Sequence, residues 1–552
     1  MKRLVILGGG TAGSIAANKL RAQLSASQLA ITVVDRDDSH HYQPGYLFLP
    51  FGGYRAKQLV RSRQAQLRPG VAFVEADIDR VDADAAKVLL ADGRELPYDY
   101  LIIATGVAPR PDLTPGMTGP GWGTSIHEFY TLDGARKLAE AIRLFRGGRV
   151  VVHLTDMPIK CPVAPLEFAL LMDAWLTDHG IRERTELTYA TVLDAAFTKP
   201  VASATLGSLF DERHINLETD FTVERVDGEA KQIISYDGRA LPFDLLVTVP
   251  LNLGAEYVAR SGLGDDLNLV PCDQHTMKAI GHDAIWVLGD AGTLATSKAG
   301  SVAHFSIDIF VDNFVAEFRG GSASHSFDGH SNCFVESGHG KAMLLDFNYD
   351  TQPYAGTFPL PAVGPFSLLK QTSINHLGKL AFRHLYWGFL IPGRPIPLPS
   401  AMSKLGKRIV PDPVPRPAAP RQRYTATLDV PTSGPRPAAP SGFTPPVTGP
   451  TTRVAGRDVK VDAEGFMTDY GQWDDAVGAG LAELVGQELT DEHWQAIRFL
   501  REDFPARGET ATLRRASMGS GIDVKRLFEL FPSKPAKKMA YIAGLPKPKG
   551  CV

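Results

Sequence analysis

Leu4-Val5-Ile6-Leu7-Gly8-Gly9-Gly10-Thr11-Ala12-Gly13 is a short apolar strand running straight into a glycine turn, and the spacing of apolar residues from Ser14 to Leu24 predicts a helix behind it. A second apolar strand, Ile31 to Val34, ends at Asp35 and Arg36. Strand, glycine turn, helix, strand and acid in this order specify a dinucleotide-binding unit of an α/β fold. The glycines let the backbone approach a pyrophosphate at the helix N-terminus, and the acid is placed to accept from a ribose hydroxyl. Gly8, Gly10, Thr11, Ala12, Gly13, Asp35 and Arg36 are the candidate cofactor contacts in this part of the chain.

Two later stretches repeat the strand-then-turn pattern: Tyr100 to Ile103 closing on Ala104-Thr105-Gly106, and Ile285-Trp286-Val287-Leu288 closing on Gly289-Asp290-Ala291-Gly292. They resemble the two further segments of the flavoproteins built from two dinucleotide-binding domains, the disulfide-oxidoreductase type. The resemblance implies non-covalent FAD, with Asp290 at its ribityl chain and Gly289 and Gly300 beside it. A second Rossmann-like unit is expected from about Gly148 to Pro250. Its first strand runs into His153-Leu154-Thr155-Asp156-Met157-Pro158-Ile159-Lys160-Cys161, with no glycine turn. Pro158 and Pro162 remove backbone donors that a phosphate cradle would use, so no pyridine nucleotide is expected there. A thiol stands near that place instead, and Lys160 beside Cys161 offers an ammonium that favours the thiolate.

The run Ile159-Lys160-Cys161-Pro162-Val163-Ala164-Pro165-Leu166-Glu167 resembles the sulfide:quinone oxidoreductase and flavocytochrome c sulfide dehydrogenase family. His41 to Phe48 and Lys298-Ala299-Gly300-Ser301 support it, and the resemblance covers roughly residues 1 to 400. It implies a second redox cysteine, Cys333, in Asn332-Cys333-Phe334-Val335-Glu336, and a quinone acceptor near residues 366 to 398. Glu167 or Glu336 is the expected proton carrier. Cys272, before an apolar strand, reads as an inert packed thiol. No metal site is expected.

From Thr351 to Pro411 there is no Asp or Glu, while Lys370, Lys379, Arg383, Arg394, Lys404, Lys407 and Arg408 are all present. Ile374, Leu377, Ala381 and His384 or Leu385 follow helical spacing within it. A basic helix with an apolar face suits a membrane interface, or alternatively a dimer or interdomain face.

Residues 411–452 are punctuated by prolines and read as a linker. Fully extended it would reach roughly 130 Å, and as a coil on the order of 35 Å. Beyond it, Leu489-Thr490-Asp491-Glu492-His493-Trp494 and the terminal Ala543-Gly544-Leu545-Pro546-Lys547-Pro548-Lys549-Gly550-Cys551-Val552 resemble the DsrC/TusE family of sulfur-relay proteins. That resemblance implies a persulfide carrier at Cys551, with Ala540 where a second arm cysteine would fall. Lys547 and Lys549 are placed to favour its thiolate.

The expected organisation is a first FAD segment over 1–110, a second Rossmann-like domain over 111–250, an FAD return segment over 251–320, an interface and acceptor region over 321–410, the linker, and a mostly helical carrier domain over 453–552. The 552 residues carry a net charge of −3 and 44% apolar residues, without the basic excess that nucleic-acid binding requires. An apolar strand right after Met1 leaves no room for a signal peptide, and no apolar run reaches a membrane span. These features predict a cytoplasmic protein with peripheral contact on the inner face of the membrane. Four cysteines do not make a disulfide framework.

The expected function is FAD-dependent oxidation of sulfide, persulfide or low-molecular-weight thiol sulfur at Cys161 and Cys333, exchanged with Cys551 and passed to downstream sulfur-relay proteins. Two alternatives remain: an NAD(P)H-dependent persulfide or disulfide reductase, and a flavoprotein whose C-terminal part is a non-catalytic docking module. The direction of sulfur transfer and a homo-oligomeric state are left open.

Overall fold

The computed structural model describes residues 1–396, 399–411, 451–462 and 464–548. The linker expected over 411–452 falls almost wholly outside the described residues, and Lys549 and Cys551 fall entirely outside them.

Leu4 to Leu7 are fully buried, because the strand Lys2–Leu7 lies at the centre of a sheet covered on both faces. In space the sheet runs Lys278–Ala279, His282–Val287, Tyr100–Ile103, Lys2–Leu7, Leu29–Asp35, Val71–Glu75. All neighbours are parallel except the first pair, with Leu4 opposite Ile31 and Tyr100, and Ile285 opposite Leu101. The helix Thr11–Gln23 follows the glycine turn and packs Ile15, Ala16 and Leu20 into the core, against the helix Gly300–Phe318. Chain segments far apart in sequence thus build one dinucleotide-type unit.

The second sheet is wholly parallel, in the order Ile126–His127, Leu245–Val249, Gly148–Leu154, Thr185–Thr191, Asn216–Glu218. Its strand Gly148–Leu154 leads through the loop bearing Cys161 into the helix Ala164–Asp178.

Residues 321–410, expected as an interface and acceptor region with one helix bearing an apolar face, form a five-stranded sheet and an amphipathic helix. Ser331–Gly338 and Lys341–Phe347 pair antiparallel with Cys333 opposite Leu345, and the helix Ser373–Leu385 packs on both. Part of the basic surface read from this stretch is not surface. Lys407 is buried on Asp346, which also accepts from His330 Nε2 at 2.8 Å, and Lys379 pairs with Glu167. The acids that the stretch lacks are supplied by other elements.

The C-terminal domain has its own core, with Val477, Leu481, Ile497, Leu500, Leu527 and Tyr541 at its centre. Thr490 caps the helix Asp491–Arg507, reciprocally with His493, whose Nδ1 accepts the Thr490 N–H at 3.1 Å. The arm is pinned at its root: Leu545 is buried, Thr510 donates to the Pro546 carbonyl at 2.7 Å, and Lys547 pairs with Glu464 at 2.9 Å.

Lys407→Met leaves Asp346 buried with half its pairing lost. This is expected to cost about 3–5 kcal/mol and to lower the melting temperature of the flavoprotein part by several degrees in differential scanning fluorimetry.

Candidate active site

The loops that follow Leu7, Ile103 and Val287 lie at one carboxyl edge of the first sheet, where such sheets hold their ligands. Gly8 has φ +97°, and a Cβ there would stand 2.5 Å from the Ala104 carbonyl oxygen; one on Gly13 would stand 1.8 Å from that of Gly8. These two glycines close the turn. Gly10, Gly106 and Gly300 instead face open space. The helix Thr11–Gln23 has no side-chain cap and no acid in its first turn, so its N–H groups are left for an anion.

Asp35 accepts the Gly9 N–H at 2.7 Å and the Arg36 N–H at 2.8 Å, and faces Arg63 at 3.1 Å. Arg63 in turn donates to the Gly9 carbonyl at 3.0 Å, a clamp on the turn that no local pattern announced. Thr11 shares a 2.7 Å hydrogen bond with the Tyr386 hydroxyl, which also meets His40 Nε2 at 2.7 Å. Asp290 lies in the turn Gly289–Ala291, and the Lys298 ammonium donates to the carbonyls of Asp290 at 2.8 Å and Gly292 at 2.9 Å. Burial raises the Asp290 carboxyl, opposed by Lys298 and Lys160. The cradle, the uncapped helix and the open glycine positions fit FAD.

Both sequence-predicted thiols bear on the return segment of this unit. The Cys161 N–H donates to the Lys298 carbonyl at 2.7 Å, and its own carbonyl accepts from the Ala164 N–H at 2.9 Å and the Tyr130 hydroxyl at 3.3 Å. Cys161 is held at φ +47°, a left-handed conformation that costs a non-glycine residue about 1–2 kcal/mol. The Cys333 thiol lies near the hydroxyls of Ser331 and of Ser301, the latter in the first turn of the helix Gly300–Phe318, and both oppose the desolvation of its thiolate. Both cysteines are free thiols. Desolvation pushes each up to about 11; Cys333 adds to the rise at Cys161, and Lys379 opposes it.

The cation acting on Cys161 is therefore Lys379, not the adjacent Lys160. The Lys160 ammonium donates to Gln43 at 3.0 Å and lies 5.9 Å over the Tyr130 ring, with Asp290 and Glu128 as the carboxylates opposing its desolvation. Lys379, from the helix Ser373–Leu385, reaches the Glu167 carboxylate and donates to the Phe334 carbonyl at 2.9 Å. Burial lowers its ammonium to about 7, with the Cys161 thiolate opposing. Glu167 also accepts the Glu336 N–H at 2.5 Å, so this carboxylate and Lys379 together tie the helix behind Cys161 to the strand carrying Cys333. Glu336 faces His376 Nδ1 at 2.9 Å, and burial raises its carboxyl. Cys272 is buried against Gly292, as a packing residue.

The chain offers a recess of about 520 Å³ lined by Lys57, Arg61, Arg383, His384 and Trp387. On the helix Ser373–Leu385, Ile374 and Leu377 are 53% and 62% exposed. No helix among the described residues is long and apolar enough to cross a membrane.

A two-unit sheet architecture with thiols against an FAD crevice defines a flavin-dependent oxidoreductase of the disulfide-oxidoreductase class, and residues 2–153 match the family described as pyridine nucleotide-disulphide oxidoreductase. The mitochondrial sulfide:quinone oxidoreductase of Dictyostelium discoideum is 25% identical over 71% of this chain and 86% of its own. The structure of the sulfide:quinone oxidoreductase from Aquifex aeolicus shares the fold, with a TM-score of 0.61 at 19% identity over 71% of this chain and 92% of that one. Residues 453–552 match the family described as DsrC like protein, and sulfurtransferase TusE of Salmonella paratyphi A is 34% identical over 18% of this chain and 95% of its own length. The chain is a fusion: a sulfide:quinone oxidoreductase-like flavoprotein followed by a domain that belongs to the DsrC/TusE family.

Removing the Lys379 charge disfavours the thiolate, so Lys379→Met raises the titration of Cys161 further by about one unit. Alkylation of reduced Cys161 by iodoacetamide at about pH 6, where the Lys379 ammonium is still charged, read by peptide mass, is expected to fall about tenfold. In the native protein the rate should climb into the alkaline range. A plateau near pH 7 would contradict the assignment.

Proposed function

We propose that the flavoprotein part oxidises sulfide, or the sulfur of a persulfide or low-molecular-weight thiol, at Cys161 and Cys333, and exchanges the product sulfur with Cys551. The reading rests on the packing of both cysteines against one stretch of the FAD unit, Lys298 to Ser301. Hydrosulfide attacks the disulfide form of the pair; the S–S bond breaks, one cysteine becomes a persulfide and the other a thiolate. The Cys551 thiolate attacks the outer sulfur of that persulfide and takes it, leaving two thiolates at 161 and 333. Re-forming their disulfide releases one electron pair, for which bound FAD is the two-electron acceptor. Summed, hydrogen sulfide and the Cys551 thiol give the Cys551 persulfide, two protons and two electrons.

Within this scheme Lys379 stabilises thiolate at Cys161, and Glu167 holds Lys379 in place. Electrons leave to a quinone near residues 366–398, where Tyr386 joins that region to Thr11 of the glycine turn. The exposed Ile374 and Leu377 with Lys370 and Arg383 support peripheral contact of this face with a membrane.

Anaerobic mixing of the FAD-loaded protein with sulfide is expected to bleach the flavin and add one sulfur atom to the Cys551 peptide. Cys161→Ser should slow bleaching by at least about a hundredfold. Rapid bleaching by NADH with Cys551 unmodified would overturn the reading.

A further inference from the structure

Five ion pairs join the C-terminal domain to the second dinucleotide-type unit, and all have one polarity. Lys537 and Lys547 meet Asp194, the latter at 3.2 Å; Lys534 meets Asp220 at 3.0 Å; Arg514 meets Asp156 at 3.6 Å; Lys525 meets Glu224 at 3.8 Å. Every base is on the C-terminal domain and every acid on the flavoprotein.

The position of the acids is as telling as their sign. Asp156, Asp194 and Asp220 stand just beyond the carboxyl ends of three adjacent parallel strands, Gly148–Leu154, Thr185–Thr191 and Asn216–Glu218. The register sets Leu154 beside Thr191 and Ala190 beside Glu218, so the three carboxylates form a row along one edge. That edge is where a doubly wound sheet receives a nucleotide. A row of carboxylates repels a dinucleotide's phosphates and attracts a basic protein face.

The contact is mainly ionic. The apolar residues of the C-terminal domain gather into a core separate from that of the flavoprotein, and Tyr236 stacks on Phe528 at 5.5 Å between ring centroids across the boundary. Burial raises the Asp194 carboxyl, but the ammonium groups of Lys537 and Lys547 outweigh it and hold it well below the usual carboxylate range. The charged side chains remain partly exposed, so salt screens them.

We propose that these pairs are an ionic latch that seats the C-terminal domain on the nucleotide edge of the second sheet. Closed, it holds the root of the arm, Lys547, at the edge whose neighbouring loop leads to Cys161; open, it frees that root. The arm is rooted at Lys547, on Asp194, one strand away from the loop that begins at Asp156. Four residues from Lys547 to Cys551 span at most about 14 Å. The delivery half of this inference rests on the sulfur exchange proposed above; the latch itself does not.

The test uses the full-length, FAD-loaded chain in small-angle X-ray scattering from about 20 to about 500 mM NaCl. The radius of gyration of the native protein is expected to grow with salt. Asp194→Lys, which sets a third cation against Lys537 and Lys547, should be extended even at low salt, and adding Lys537→Glu to it should restore the compact form. Asp194→Lys should still bleach with sulfide while sulfur arriving on Cys551 per turnover falls about tenfold. A radius indifferent to salt and to both substitutions overturns the latch, and the same measurable amount of sulfur on Cys551 with and without Asp194→Lys overturns its part in delivery. Salt-dependent opening with no sulfur on Cys551 in the native protein supports the latch and sinks the exchange instead.

Discussion

The site depends on one buried cation. Lys379 sits between the Glu167 carboxylate and the Phe334 carbonyl, and so fixes the helix that follows Cys161 against the strand that carries Cys333. Without it, Glu167 would be a buried charge with no counter-ion, and the two thiols would lose the tie that holds their elements together. Lys298 does the matching work on the other side. Its ammonium closes the turn around Asp290 while its carbonyl receives the Cys161 N–H, so the thiol loop and the dinucleotide-type crevice share a residue.

How much of this could be read from the chain depended on distance along it. The turn from Gly8 to Gly13, the uncapped helix and the acid at Asp35 are a local pattern, and the fold follows from them directly. The capping pair Thr490 and His493 is equally local. Lys379 lies 212 residues from Glu167, and Arg63 lies 54 from the Gly9 carbonyl that it clamps. Neither sits in a run that marks it. Lys160 attracted attention because it is next to Cys161, but adjacent residues point different ways, and its ammonium goes to Gln43.

The acid-free stretch shows the same limit in another form. A run of bases with no acids reads as a surface for anions when counted in sequence. Folded, Lys379 and Lys407 are internal counter-ions to Glu167 and Asp346, and His376 faces Glu336. What remains outside is smaller and more sharply placed: Ile374 and Leu377 on one helix, with Val363 exposed on the neighbouring hairpin.

The row of carboxylates at Asp156, Asp194 and Asp220 also bears on where electrons can come from. A folded domain seated on that edge stands where a doubly wound sheet receives its nucleotide. In the seated state the edge that would present a pyridine nucleotide is covered by protein and lined with carboxylates, so steric cover and charge act there in the same direction.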